Sequence, residues 1–411
     1  MKHEKRSIVI TVVVAALGYF VDIYDLLLFG IVRMASLRDI GVPEDQLLDV
    51  GIQLINAQMA GLLVGGILWG VWGDKRGRLS VLFASIFLYS LANIANAFVV
   101  TPGQYAVLRF VAGVGLAGEL GAAITLVAEV MSKESRGIGT TVVAAVGVLG
   151  AVLAAIIGEM FHWKTAYIIG GVMGLSLLVL RIRMLESGLF KNIAHAQVSK
   201  GDFLMLFRSG PRFWKYLSCI LIGVPIWCVI GIFVTFSPEL ARFLDVTGPI
   251  QAGTSIMMAY IGLSVGDVAS GLLSQLLKSR KKVVALFLFL TLLGISVYAR
   301  AQGMTPAQFY ALCGFLGFAI GYWAMFVTIG AEQFGTNLRA TVATSVPNFV
   351  RGSLVPLTLT FNYLSKSHGF TLLESAVTVG LGSLLVGALA LWKMQETFGK
   401  DLDYLESERG A

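Results

Sequence analysis

Apolar residues run through this chain in long blocks, not in short periodic stripes. Twelve such stretches, nearly free of charge, alternate with short polar or basic segments. A bilayer core of ~30 Å is crossed by about 20 helical residues rising ~1.5 Å each. The pattern therefore predicts spans near residues 8–35, 51–72, 79–100, 104–130, 136–159 and 164–184, then 213–237, 251–277, 282–300, 306–331, 340–364 and 371–393. The ten-residue alternation of an outer-membrane barrel is missing, so the expected fold class is an all-α membrane protein. The polar, basic stretch Leu185–Arg212 divides the pattern. It predicts a six-helix bundle over 1–190, a cytoplasmic central loop over 191–212, a second bundle over 213–400 and a cytoplasmic tail over 401–411.

Composition agrees: of 411 residues 56% are hydrophobic and 13% charged, with mean hydropathy +0.80, where a soluble domain carries about 25% charge. The 47 glycines against nine prolines suit closely packed membrane helices. The basic start Lys2–Arg6 imitates a signal peptide, but the apolar run after it is too long for one and contains Asp22 and Asp25, which predicts a retained first helix. Net charge is +7, which by itself would suit a nucleic-acid partner. With the N-terminus placed inside, however, 23 Lys and Arg fall on the inner side, six outside and two, Arg109 and Arg351, within spans. This asymmetry predicts a multi-pass cell (inner) membrane protein with both termini cytoplasmic, and it spreads the basic charge over loops instead of gathering it for nucleic acid.

The two halves repeat. Thr101-Pro102-x-Gln104 recurs as Thr305-Pro306-x-Gln308, and Ala128-Glu129 with Arg136 recurs as Ala331-Glu332 with Arg339. Gly70-x3-Asp74 before a basic loop is echoed by Gly271-x3-Gln275 before Lys278–Lys282. Offsets of 201 to 204 residues, with six spans between partners, predict two parallel bundles of the same orientation, an arrangement suited to alternating access.

Gly70-Val-Trp-Gly73-Asp74-Lys75-Arg76-Gly77-Arg78 resembles the loop 2-3 signature of the major facilitator superfamily, and Trp163-Lys164 with Tyr167 is similar to the motif that opens that superfamily's sixth helix. Gly18-x3-Asp22-x-Tyr24-Asp25-x3-Phe29-Gly30, and Arg109-Phe-x2-Gly113-x4-Gly118-Glu119-x-Gly121, resemble the first and fourth helices of its metabolite:proton symporters. Ala112, Ala117 and Leu120 depart from that family's usual residues. The resemblance implies the major facilitator fold and proton-coupled import of a small metabolite, most often a carboxylate. Zwitterionic or cationic substrates, and proton antiport exporting a drug, amino acid or siderophore, use the same parts. A channel would need a ring of polar residues, and a uniporter would ignore ion gradients.

Charges inside apolar spans carry the functional expectation, because one at midplane costs at least ~2.5–3.5 kcal/mol unless it is paired or takes up a proton. Asp22 and Asp25, three apart, share a face of the first helix, and Glu119 lies mid-way along the fourth. These are the expected proton-coupling acids, with Arg109 as counter-ion to Asp25. Arg351, ~18 Å into the eleventh span, is one turn past Asn348 and too deep to snorkel. Its fork suits a carboxylate. A salt bridge to Asp267 or Glu119 is the static alternative.

Further substrate-binding candidates are Tyr19, Tyr24, Gln53, Trp227, Tyr322, Trp323 and Asn362, each equally at home as packing or helix glue. The gating set is Gly70, Asp74, Arg78, Glu129, Arg136, Asp267, Glu332 and Arg339, where loop cations can clasp helix-end acids.

Gly113-Val-Gly115-Leu-Ala-Gly118 spells a dinucleotide fingerprint but lies inside a span with no strand before it. Cys219, Cys228 and Cys313 sit in apolar runs and His3, His162, His195 and His368 at ends or loops, with neither metal spacing nor a nucleophile–base constellation. No cofactor, metal or enzymatic activity is expected. The expected partners are a small-molecule substrate, protons and the bilayer, with the chain acting as a monomer.

Overall fold

The computed structural model describes residues 2–76, 78–119, 121, 136–186 and 203–399, and the chain divides into two compact units, 1–202 and 203–411. In the first unit the helices are α1 (Lys2–Asp39), α2 (Leu47–Arg76), α3 (Arg78–Asn96), α4 (Pro102–Leu116), α5 (Arg136–Met160) and α6 (Trp163–Glu186). The second unit is more broken. Its seventh span runs as α7 (Gly210–Leu221), α8 (Val224–Cys228), a π-helical segment Val229–Val234 and α9 (Ser237–Phe243). Then come α10 (Ala252–Leu277), α11 (Arg280–Tyr298), α12 (Pro306–Ala319), α13 (Trp323–Glu332), α14 (Thr336–Gly352), α15 (Leu354–Ser367) and α16 (Leu372–Lys393).

All twelve expected spans are mainly helical where they are described, the seventh, tenth and eleventh with internal breaks, and the fourth leaves the described residues after 121. The fold is an all-helical membrane fold. Among the described residues, eight helices or helix pairs are long and apolar enough to cross a bilayer. The 17-residue α14, rich in Thr, Ser and Asn and carrying Arg351, is not one of them.

The repeated Thr-Pro-x-Gln motif is a helix start. Thr101 Oγ1 accepts the Gln104 N–H at 3.3 Å and Thr305 Oγ1 accepts that of Gln308 at 3.4 Å, with proline in the first turn, where its missing N–H costs nothing. Packing repeats as well. A β-carbon at Gly61 or Gly65 of α2 would strike the Phe110 or Val114 carbonyl of α4, and one at Gly113 would strike that of Gln58. In the second unit Gly262 and Gly266 of α10 meet the Gly314 and Phe318 carbonyls, and Gly317 of α12 meets that of Ala259. Each pair of helices thus touches backbone to backbone, the close approach that small residues allow in membranes.

In the first unit α1 packs on α5 and α6, and α3 on α4 and α6. The tenth span breaks at 320–322, between α12 and α13, close to where Gly321 presses against Gly266 of α10. Side chains take up carbonyls near these irregularities. Tyr322 Oη donates to Ile222 O (2.9 Å), Thr291 Oγ1 to Ala319 O (3.1 Å) and Tyr298 Oη to Phe233 O (3.1 Å).

Candidate functional site

Within the first unit, α1, α3, α4 and α6 enclose a buried polar cluster. Asp22 and Asp25 are both fully buried on α1. The Asp25 carboxyl lies beside Asn93 of α3 and Arg109 of α4, and a β-carbon at Gly170 of α6 would collide with Oδ1, so that glycine makes the room the carboxyl occupies. Arg109 of α4, also fully buried, sends Nη2 to the Asp25 backbone carbonyl and Nη1 to Asn93 Oδ1 of α3, both at 3.5 Å. Its guanidinium carbon lies 5.5 Å from the Phe29 ring centre and 5.7 Å from that of Tyr167. Tyr105 and Tyr167 share a hydroxyl–hydroxyl bond of 2.7 Å, and Tyr24 Oη donates to Ala166 O at 2.8 Å. The Arg109 cation is thus held by ring faces and neutral acceptors beside the Asp25 carboxyl.

Glu119 has a different setting. Arg181 of α6 grips it with two hydrogen bonds, Nη1 to Oε2 at 3.1 Å and Nη2 to Oε1, and both side chains are buried. A β-carbon at Gly18 would land on both partners, which explains the glycine four residues before Asp22. The positive-inside count assigned Arg181 to the inner side, so its partnership was not foreseen. Arg33, counted as outer, is likewise buried, packed on Gly51 of α2. Tyr19 packs on Gly147 of α5, and Gln53 is exposed whereas Gln58 is buried, donating to Leu26 O at 3.2 Å.

In the second unit Arg351 is buried at the end of α14, its guanidinium carbon 6.0 Å from the Trp227 ring centre and 5.9 Å from that of Trp323. Three broken spans therefore meet at one cation. Trp227 lies just before the π-helical segment, Trp323 opens α13, and the eleventh span breaks at Ser353, two residues past Arg351. Irregular turns of this kind recur at functional sites. Asn348 is buried with Nδ2 on Thr344 O at 3.2 Å, while Asn362 lies 14 residues further along, past the break at Ser353. Asp267, the proposed static partner of Arg351, instead accepts the Ala324 backbone N–H at 2.9 Å, closing the freed start of α13. Glu119, the other such partner, is held by Arg181.

Of the gating residues, Glu129 lies outside the described residues, as do the side chains of Asp74, Arg78, Arg136 and Arg339. A β-carbon at Gly70 would meet nothing within 4 Å. In the second unit Glu332 is paired with Arg280, a residue outside the expected gating set. Arg280, at the start of α11, reaches Glu332 at the end of α13 through Nη2–Oε1 (3.1 Å) and Nε–Oε2 (3.4 Å), and donates to Ser274 Oγ of α10 at 2.7 Å.

Glu396, beyond α16, joins this clasp and was not foreseen. Its Oε1 accepts the Arg280 N–H at 2.9 Å, its Oε2 accepts that of Lys281 at 3.2 Å, and Ser279 Oγ donates to it as well. Partial burial opposes ionisation of this carboxyl. The hydrogen bonds from Ser279 and from the Phe398, Arg280 and Lys281 N–H groups outweigh it and hold the group down to about 2.

The family model of the Major Facilitator Superfamily matches residues 8–353. A putative niacin/nicotinamide transporter of Bacillus subtilis (strain 168) is 22% identical over 388 residues, covering 91% of this chain and 94% of its own. A putative metabolite transport protein of Haemophilus influenzae is 27% identical over 351 residues, covering 82% and 84% respectively. Among solved structures, a proton:xylose symporter bound to 6-bromo-6-deoxy-D-glucose superposes with a TM-score of 0.71 at 16% identity, covering 97% of this chain and 98% of that one.

Proposed function

The chain belongs to the Major Facilitator Superfamily, and from that premise we propose that it is a proton-coupled symporter importing a small organic anion of the carboxylate class across the inner membrane, with both termini cytoplasmic and the monomer as the working unit. It is a membrane transporter for a small molecule, like the relatives it matches. Coupling to protons and the carboxylate cargo are the finer parts of the reading.

One observation carries it. The Asp25 carboxyl is fully buried between Asn93 and Arg109, and Arg109 spends its own hydrogen bonds on Asn93 and the Asp25 backbone, not on the carboxyl. An acid in that setting gains by taking up a proton or by capturing the guanidinium, and a cycle that alternates between the two couples proton movement to conformation. Asp22, one turn away, is the natural relay. Glu119, being clasped by Arg181, serves better as an anchor between helices than as a relay.

Arg351 supports the anionic cargo. Its guanidinium carbon lies 6.0 and 5.9 Å from two indole ring centres, and a guanidinium is the group that meets a carboxylate in a bidentate fork. One relative is named a putative niacin/nicotinamide transporter, and of that pair niacin is a carboxylate and nicotinamide its neutral amide. Asn348, Tyr322, Trp227 and Trp323 complete the proposed binding residues of the second unit, and the site opens alternately to the two sides of the membrane. Uptake of radiolabelled mono-, di- and tricarboxylates into proteoliposomes tests the reading. An imposed gradient, acid outside, should drive accumulation of at least one of them. Accumulation indifferent to that gradient, or confined to cations, would reject it.

A further inference from the structure

Between α11 and α16 the second unit carries a groove of about 650 Å3 that opens to the membrane side of the helices. Its walls are almost wholly aliphatic and aromatic, from Leu292 and Leu381 at one end to Trp392 at the other, where Lys281 and Lys282 close it. From Lys281 to Leu292 is eleven residues, as it is from Leu381 to Trp392. At ~1.5 Å per residue the groove is therefore ~16 Å long, half of a ~30 Å hydrocarbon core. It starts at one interface and stops near the midplane, which is the depth of a single leaflet.

The polar end is built for an anion. Lys281 Nζ donates to the Trp392 and Met394 carbonyls at 3.2 and 2.6 Å, which fixes it across the end of α16. Lys282 is exposed, with no side-chain partner among the described residues, and Lys278 and Lys393 are exposed at the same helix ends. Trp392 is 76% exposed, as an indole at the interface between headgroups and acyl chains would be. The nearby acids are engaged elsewhere, Glu332 by Arg280 and Glu396 by the backbone of α11.

We propose that this groove is a binding site for an anionic phospholipid of the cytoplasmic leaflet, one acyl chain lying between α11 and α16 and the phosphate against Lys282 and Lys281. Basic pockets between helices on the cytoplasmic side take such headgroups, and that leaflet supplies them. Placing the lipid in the cytoplasmic leaflet rests on the orientation proposed above. The clasp of Arg280, Glu332 and Glu396 adjoins the headgroup end, so an occupied groove would brace it.

The test uses the purified full chain. Native mass spectrometry with phosphatidylglycerol and phosphatidylcholine in equal amounts should show phosphatidylglycerol retained preferentially. Lys282→Gln should reduce that preference about fivefold, the fold-change equivalent to ~1 kcal/mol per lysine. Ala388→Trp, which fills the groove from its exposed wall, should abolish retention. In liposomes, acyl-brominated phosphatidylglycerol should quench wild-type fluorescence more than brominated phosphatidylcholine, and Trp392→Phe should remove the difference. Equal retention of the two lipids, an unchanged preference in Lys282→Gln, or dimers that Ala388→Trp disperses would overturn the proposal, the last by making the groove a self-association surface. A Gly410→Cys label reached from outside the cell would refute the orientation while leaving the lipid preference standing.

Discussion

The Asp267 carboxylate of α10 accepts the Ala324 backbone N–H of α13 at 2.9 Å, bridging the break in the tenth span directly beside the tryptophan that stacks on Arg351. The bond ties the start of α13, and so the Trp323 ring, to a neighbouring helix. Asp267→Ala leaves that N–H without its acceptor, a loss of about 0.5–1.5 kcal/mol, the net worth of an ordinary hydrogen bond. Asp267→Asn retains an acceptor oxygen. Thermal unfolding in detergent should rank wild type above Asn above Ala, and anion affinity should follow the same order. Equal loss in both variants with unaltered affinity would detach Asp267 from the Arg351 site.

The glycine contacts make a second, internally controlled prediction. Gly317→Ala drives a methyl group into the Ala259 carbonyl, and Gly113→Ala does the same at Gln58, whereas β-carbons at Gly103 and Gly271 would meet nothing within 4 Å. Overpacking costs about 1–3 kcal/mol. The first two variants should unfold at lower temperature than wild type. Gly103→Ala and Gly271→Ala should lie within the scatter of wild type, and a loss in these two equal to that of the first pair would dissociate the effect from helix approach.

Much of this was legible in the sequence because a charge inside an apolar run has few reasons to be there. Asp25, Arg109 and Arg351 stood out that way, and all three are buried where two or more helices meet. The capping motif at Thr101 and Thr305 was legible as a repeat, and the abundance of glycine as close helix packing. The breaks were not. No proline lies within 320–322 or the π-helical segment Val229–Val234, and those turns are held by partners far along the chain, Asp267 and Tyr298 among them. Asn93 and Arg181 were hidden for a related reason, since an amide in an apolar helix or a basic residue at a helix end is ordinary until its partner is known. Glu396 lies past the last span, where an acid attracts no notice without the helix start it caps.

The Glu119–Arg181 pair offers a way to separate anchor from relay. Removing one partner of a buried pair leaves a stranded charge and costs about 3–5 kcal/mol, whereas replacing both by apolar residues of similar size is close to neutral or stabilising. Glu119→Leu and Arg181→Met should each lower the unfolding temperature sharply, and the double variant should recover most of it. If the double variant also retains gradient-driven uptake, the pair is an anchor. Loss of uphill uptake with exchange intact would return Glu119 to the proton path.

Glu396 yields a pH dependence. Its folded-state value, about 2, lies below the ~4.3 of an unperturbed glutamate, so its contribution is present above that value and fades as pH falls toward 2. Because the side chain is exposed, solvent screening keeps the contribution well below what the shift alone suggests. Glu396→Gln should unfold at lower temperature than wild type at pH 7, and the difference should narrow progressively from pH 4 to pH 3. A gap constant over that range would place the effect in packing instead of charge.

Coupling itself is the last and most direct test. Symport of one proton with a monoanion is electroneutral, so at equilibrium the accumulation ratio equals the proton ratio, about tenfold per unit of imposed pH difference, the equivalent of ~1.36 kcal/mol. Asp25→Asn preserves the size of the side chain beside Arg109 and Asn93 but cannot exchange a proton at that position. The variant should bring substrate only to equal concentrations on both sides while still exchanging labelled for unlabelled substrate across the membrane. Arg109→Gln should impair both processes, because it removes the cation that the released carboxylate would capture. Tenfold accumulation by Asp25→Asn at one unit of gradient would exclude Asp25 as the coupling acid and point to Asp22, the other buried carboxyl on the same helix.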